Sequence, residues 1–192
     1  KIGVLGLQGD VSEHIDAFRS LNVESFHVRT PEHLAKAQAL VIPGGESTTI
    51  GSLMQKSGLF EEVKNRAKAG MPLWGTCAGA ILLASKGDEQ VKKTGQKLLE
   101  LMDMRVNRNA FGRQRESFEA HVDFIGLDLP FKAVFIRAPA IDEIWGECRP
   151  LALHGKKMVA ARQGNMLATC FHPELAGDPR VHEYFLDMCY RV

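Results

Sequence analysis

MPLWGTCAGAILLA, residues 71–84, is the stretch on which the fold turns. Met71 to Trp74 is a short apolar run, Gly75 to Gly79 is a cluster of small residues around one cysteine, and Ala78 to Ala84 is apolar throughout. That order reads as a buried strand, a sharp turn and a buried helix. The same alternation extends toward the amino end. Ile2 to Leu7 is an apolar run closed by Gln8-Gly9-Asp10, and Val11 to Leu21 places Ile15, Phe18 and Leu21 on one helical face. Ser25 to Arg29 is strand-like, and Pro31 to Ala37 opens as a helix with proline in its first turn. Ala39 to Ile42 is a buried-strand run stopped by Pro43-Gly44-Gly45, and Leu59 to Ala69 is helical. Strands and helices in alternation predict an α/β fold whose parallel sheet is covered on both faces.

The second half reads differently. Ser85 to Lys97 is polar and is expected to be a surface loop or a frayed helix. Beyond it, Met102 to Asn107, Ser117 to Phe124, Ala133 to Ile136, Met158 to Gln163 and Met166 to Phe171 are strand-like, with a hairpin turn at Gln163-Gly164-Asn165. Arg180 to Tyr190 closes the chain as an amphipathic helix carrying Val181, Tyr184, Phe185 and Met188. The chain of 192 residues, 45% hydrophobic, suits one domain spanning 1–192.

Charge narrows the function classes. Lysine and arginine total 24 against 23 acidic residues, without a block of one sign, which argues against a nucleic-acid or membrane surface. No apolar run is long enough for a bilayer and no leader is recognisable, so the cytoplasm is the expected compartment. The cysteines, Cys77, Cys148, Cys170 and Cys189, form no C-x-x-C pair, against both a disulfide framework and a structural zinc site. No metal or cofactor is expected. Gly6-Leu7-Gln8-Gly9 fits neither G-x-G-x-x-G nor a Walker A loop.

Gly75-Thr76-Cys77-Ala78-Gly79 has the G-x-C-x-G form of a nucleophile elbow. A thiol at such a tip faces the carboxyl edge of the sheet and the positive end of the following helix, and both favour thiolate. The Ala78 N–H would be available to a developing oxyanion. The alternative is an inert, buried cysteine. A base is offered by Phe171-His172-Pro173-Glu174, where Pro173 favours an extended His172 with Glu174 on the same side, within reach of the ring. The alternative there is a satisfied core histidine. Pro43-Gly44-Gly45-Glu46-Ser47-Thr48 also lies at the carboxyl end of a strand, where ligands bind in open α/β sheets. It reads either as an oxyanion donor from Gly45 with Glu46 and Ser47 holding an amino acid, or as a turn followed by a helix cap.

The set GLQGD (6–10), PGGEST (43–48), GTCAG (75–79), RNAFGRQ (108–114), IRAP (136–139) and FHPEL (171–175) resembles the glutaminase subunits of pyridoxal 5'-phosphate synthases, within the class I, triad-type glutamine amidotransferases. The resemblance covers nearly the whole chain. It implies a three-layer α/β/α, flavodoxin-like, mostly parallel sheet with β-rich additions in the second half. It further implies Cys77 as nucleophile, His172 as general base and acid, Glu174 as its orienting partner, and Gly45 and Ala78 as oxyanion donors. L-Glutamine would be held by Gly45, Glu46, Ser47, Arg108, Ile136 and Arg137, and hydrolysed through a thioester. Ammonia would pass to a separate synthase subunit in a large assembly of twelve copies of each subunit, with Gln8 in the loop that couples activity to docking. A stand-alone γ-glutamyl thiol hydrolase and a catalytically silent regulatory subunit are the competing readings.

Overall fold

The computed structural model describes residues 1–112 and 116–190. Arg113 and Gln114, the end of the RNAFGRQ motif, lie outside them. The first half alternates as its apolar runs require: β1 (Ile2–Leu5), α1 (Val11–Ser20), β2 (Ser25–Val28), α2 (Pro31–Leu34), β3 (Ala39–Ile42), α3 (Ser47–Lys56), α4 (Leu59–Lys68), β4 (Leu73–Thr76) and α5 (Ala78–Leu83). Then come β5 (Ala84–Gly87), α6 (Glu89–Thr94), β6 (Met102–Asn107), β7 (Ser117–Val122), β8 (Phe131–Ile136), β9 (Ala140–Ile144), β10 (Arg149–His154), β11 (Lys157–Gln163), β12 (Met166–Thr169) and α7 (Arg180–Tyr190). A short 3-10 turn, Pro173–Leu175, links β12 to α7.

Ten strands form one mixed sheet in the order β2-β1-β3-β4-β12-β11-β9-β6-β5, with β10 on the flank of β11, while β7 and β8 make a separate hairpin. The five strands from β2 to β12 run parallel. β11 turns antiparallel to β12, and β9 is antiparallel to both β11 and β6. β1, β3 and β4 are buried along their whole length, because each must pack apolar side chains on both faces. On one face Trp74 meets His14 of α1 and Phe185 of α7 at ring separations of 5.3 and 5.4 Å. On the other, Gly75 lies flat against the backbone of Gly79 in α5.

The structure adds to two readings. Of the two forms expected for residues 85–97, loop or frayed helix, the structure has a helix, α6, capped at both ends, and adds most of β5. Asp88 caps α6 by accepting from the Gln90 and Val91 N–H groups at 3.1 and 3.0 Å, and Gly95 ends it in the left-handed region at φ 64°. Caps at both ends suffice for a helix with one buried anchor, Val91. β9 and β10, which the apolar pattern does not announce, complete the far side of the sheet. Among the described residues no helix is long and apolar enough to cross a membrane.

Candidate active site

Four loops leave the carboxyl ends of neighbouring parallel strands β1, β3, β4 and β12, and they bring Gln8 and Asp10, Gly44 to Ser47, Cys77 and His172 to one edge of the sheet. Cys77 occupies φ 51°, ψ −102°, a conformation that costs a side-chain-bearing residue on the order of 1–3 kcal/mol. Its surroundings fix it there. The Cys77 N–H donates to the Thr169 carbonyl at 2.7 Å, and the Cys77 carbonyl accepts from the Ile81 N–H at 3.2 Å. A side chain at Gly79 would strike the Ile42 carbonyl, and one at Gly75 would strike Gly79. The two glycines therefore let α5 close onto β3 and β4, and that closure keeps the turn sharp.

His172 follows β12 and is buried. Its N–H donates to the Val134 carbonyl at 2.7 Å. The ring Nδ1 lies 2.6 Å from Glu174 Oε1 and 3.3 Å from Asp10 Oδ2, and the Cys77 thiol is near enough to favour the charged ring. With Nδ1 committed to carboxylates, Nε2 is the nitrogen left for sulfur. Burial opposes an imidazolium at His172, but the hydrogen bonds to Asp10, Cys77 and Glu174, together with the charge of Glu174, outweigh it and raise the pKa. Burial raises the Glu174 pKa in turn, offset in part by its bond to His172 and the charge there. The expected extended geometry after His172 is replaced by the 3-10 turn, because proline at its first position presets the helical φ. Glu174 thereby curls back beneath its own histidine.

The other anticipated residues, Ile136 excepted, surround a cavity of about 510 Å³ that Cys77 and Ala78 open into, lined by Gln8, Gly45, Glu46, Ser47, Ile81, Gln90, Arg108, Asn109 and Arg137. Such a volume suits a small polar ligand. Glu46 caps α3 with both carboxylate oxygens, accepting from the Thr48 and Thr49 N–H groups at 3.2 and 2.7 Å. Burial works to raise its pKa, but these bonds and those from the threonine hydroxyls prevail and lower it. Arg108 Nη2 meets Glu46 Oε1 at 3.2 Å, and the Arg108 N–H donates to Asp88 Oδ2 at 2.8 Å. Ser47 is buried, with its hydroxyl on Gln96 Oε1 at 3.3 Å.

Arg137 has φ 42° and holds its guanidinium out beside Glu116 at 3.7 Å. Ile136 contributes its carbonyl, which accepts from the Cys77 thiol at 3.9 Å. The Gly44 carbonyl accepts from the Asp10 N–H at 3.0 Å, so the Gly45 N–H points to the opposite side of that peptide plane. Gln8 Oε1 accepts from the Glu46 N–H at 2.9 Å and joins the β1 and β3 loops. Ala78 is the first residue of α5, so its N–H has no partner within the helix. A larger cavity of about 680 Å³ lies apart from these groups, between α4 and the β5–α6 segment.

Asp10 is the residue that the motif reading left without a role. It stands at the N-terminus of α1 yet makes no side-chain cap, because its carboxylate turns to His172 instead. Asp10, His172 and Glu174 offer ligand atoms within 4.8 Å of one another, and here both carboxylates serve the imidazole.

The profile of the SNO glutamine amidotransferase family matches residues 4–191. The chain is 51% identical over 193 residues to "Pyridoxal 5'-phosphate synthase subunit PdxT" of Methanosarcina acetivorans, covering 97% of each chain. It is 53% identical over 193 residues to the protein of the same name in Pelotomaculum thermopropionicum, covering 100% of this chain and 96% of that one. A solved structure titled "Crystal structure of glutamine amidotransferase" superimposes with a TM-score of 0.92 at 46% identity, covering 98% of each chain.

Proposed function

This chain belongs to the SNO glutamine amidotransferase family, and from that premise we propose that it hydrolyses L-glutamine to L-glutamate and ammonia and delivers the ammonia to a pyridoxal 5'-phosphate synthase subunit. The observation that carries the reading is the strained Cys77 at the same sheet edge as His172, whose Nδ1 is held 2.6 Å from Glu174 Oε1.

Cys77 passes its proton to His172 Nε2 and attacks the side-chain amide carbon of glutamine, forming a C–S bond and an oxyanion that faces the Ala78 and Gly45 N–H groups. The imidazolium returns the proton to the amide nitrogen as the C–N bond breaks, and ammonia leaves a thioester. Water, deprotonated by His172, then adds to the thioester, and the thiolate leaves glutamate behind. Glu174 holds the ring in the tautomer that keeps Nε2 free for sulfur and stabilises the imidazolium. Glu46, Ser47, Arg108 and Arg137, with the backbone of Gly45 and Ile136, supply the charges and polar groups that the carboxylate and ammonium of an amino acid need. Gln8, bridging two loops at the site, is the link by which docking tunes activity. The single domain works as a subunit of a large assembly.

The test is glutamate release by the purified chain, alone and mixed with the synthase subunit. Cys77→Ser should lower turnover by at least about three orders of magnitude, since a hydroxyl is far harder to ionise. The synthase subunit should raise the wild-type rate at least about tenfold, which needs roughly 1.4 kcal/mol of coupling. Gln8→Ala should lower that stimulated rate more than the basal one. Full activity in a folded Cys77→Ser protein would remove the thiol from the reaction.

A further inference from the structure

Behind Glu174 lies a buried polar chain that the proposed chemistry does not use. His14 Nε2, from α1, is 3.5 Å from Glu174 Oε2, the carboxylate oxygen turned away from His172, and both side chains are fully buried. The same nitrogen is 3.2 Å from Thr76 Oγ1. His14 Nδ1 is 3.0 Å from Nε2 of His182 in α7. Trp74 and Phe18 wall off the pair, with the Phe18 and Trp74 rings 5.0 and 4.7 Å from that of His182. Glu174 Oε2 and His182 Nδ1 have no hydrogen-bond partner.

A neutral imidazole has one donor and one acceptor nitrogen, so the chain admits two proton arrangements. In one, His14 donates from Nδ1 to His182 and its Nε2 accepts from the Thr76 hydroxyl, which sets a lone pair 3.5 Å from the Glu174 carboxylate and leaves an unpaired Nδ1–H on His182, both unfavourable in a dry interior. In the other, His182 donates from Nε2 to His14 Nδ1, and His14 points its Nε2–H at Thr76 Oγ1 and Glu174 Oε2. That arrangement leaves a lone pair, rather than an N–H, unpaired at His182 Nδ1 among the aromatic rings.

We propose that His14, held as its Nε2–H tautomer by His182, is a positioning residue that aims and steadies the Glu174 carboxylate beneath His172. Burial above all keeps His14 uncharged, with the nearby charge of His172 working in the same direction, and neutrality matters here. A cationic His14 would compete with His172 for the carboxylate, whereas a neutral N–H orients it and leaves its charge to the imidazolium. The proposal rests on the hydrolytic reading given above.

His14→Leu removes the donor, and His14→Gln restores an amide N–H at the end of a chain of equal length. With the synthase subunit present, His14→Leu is expected to lower kcat about 10- to 100-fold, the usual range for a lost orienting partner, with KM within about twofold. His14→Gln should recover kcat to within about fivefold of wild type. In the unmodified chain, nitrogen-15 histidine spectra should show His14 and His182 as neutral Nε2–H tautomers, an observation independent of whether the variants fold. The proposal fails if His14 carries its proton on Nδ1, if His14→Leu keeps a wild-type kcat, or if a folded His14→Gln is as slow as His14→Leu. Absence of glutamate release by the wild type would instead overturn the hydrolytic reading, with the tautomers still legible.

Discussion

Cys77 differs from the other cysteines in what surrounds its sulfur rather than in depth of burial. Burial, seconded by Asp103, pushes the Cys148 thiol up to about 11, and burial takes Cys189 to about 12 and raises Cys170 further still. Thiols held so far above neutrality are poor nucleophiles, whereas Cys77 faces both the cavity and His172. A glutamine-shaped electrophile at pH 7 should therefore label Cys77 first, as read by mass spectrometry of the digest, and faster labelling elsewhere would contradict the elbow assignment. The two carboxylates on His172 are expected to be unequal. Glu174→Gln should lower kcat by up to about 10⁴, with KM little changed, because a neutral amide neither fixes the tautomer nor stabilises the imidazolium. Asp10→Asn, at the longer 3.3 Å and partly exposed, should lower kcat by only on the order of tenfold. Steady-state kinetics of the two variants in parallel separate these roles.

Elements that carry continuous apolar runs were legible from the amino acids alone, because β1, β3 and β4 are buried on both faces and admit nothing else. Glycine and proline at the ends of β3, β4 and β12 marked the loops holding Gly45, Cys77 and His172. β9 and β10 were hidden because each is half exposed and mixes polar with apolar residues. α6 could be read only as a loop or a frayed helix, because a single buried side chain gives no helical period. Asp10 and His14 escaped because an aspartate at a helix start reads as a cap and a histidine on an amphipathic helix reads as surface. The return of the chain at residues 172–182 brings His172 to Asp10, and Glu174 and His182 to His14. α6 nevertheless reaches the site, since Asp88 holds both the helix start and the Arg108 N–H. Asp88→Ala should cost about 1 kcal/mol of stability, a fall in Tm of roughly 2–4 °C for a chain of this size. It should raise KM for glutamine severalfold while kcat changes less, because the contacts among Cys77, His172 and Glu174 are untouched. A kcat loss without a KM change would place Arg108 elsewhere in the reaction.

For the molecule as a whole, the buried histidines set the acid limb of stability. Burial lowers His182 from 6.5 to about 3 and lowers His14 well below its ordinary value. The unfolded chain takes up protons at both positions below pH 6.5 while the native state does not, so stability falls as pH drops from there toward the folded values. Each histidine contributes a slope of up to about 1.4 kcal/mol per pH unit. Urea titrations at pH 6.5 and 5 should show the loss, and His182→Phe should flatten it; a profile unchanged by that substitution would mean the pair is not buried neutral. The sheet order has a consequence for synthesis. β12, the last strand made, enters the middle of the sheet between β4 and β11, and it delivers His172 beside Cys77. A nascent chain on the ribosome therefore exposes the edge of β4 and carries a thiol without its base until residues 166–174 emerge. The reactive centre is armed only once β12 and the turn after it have emerged, so a product interrupted before them carries a thiol without its base.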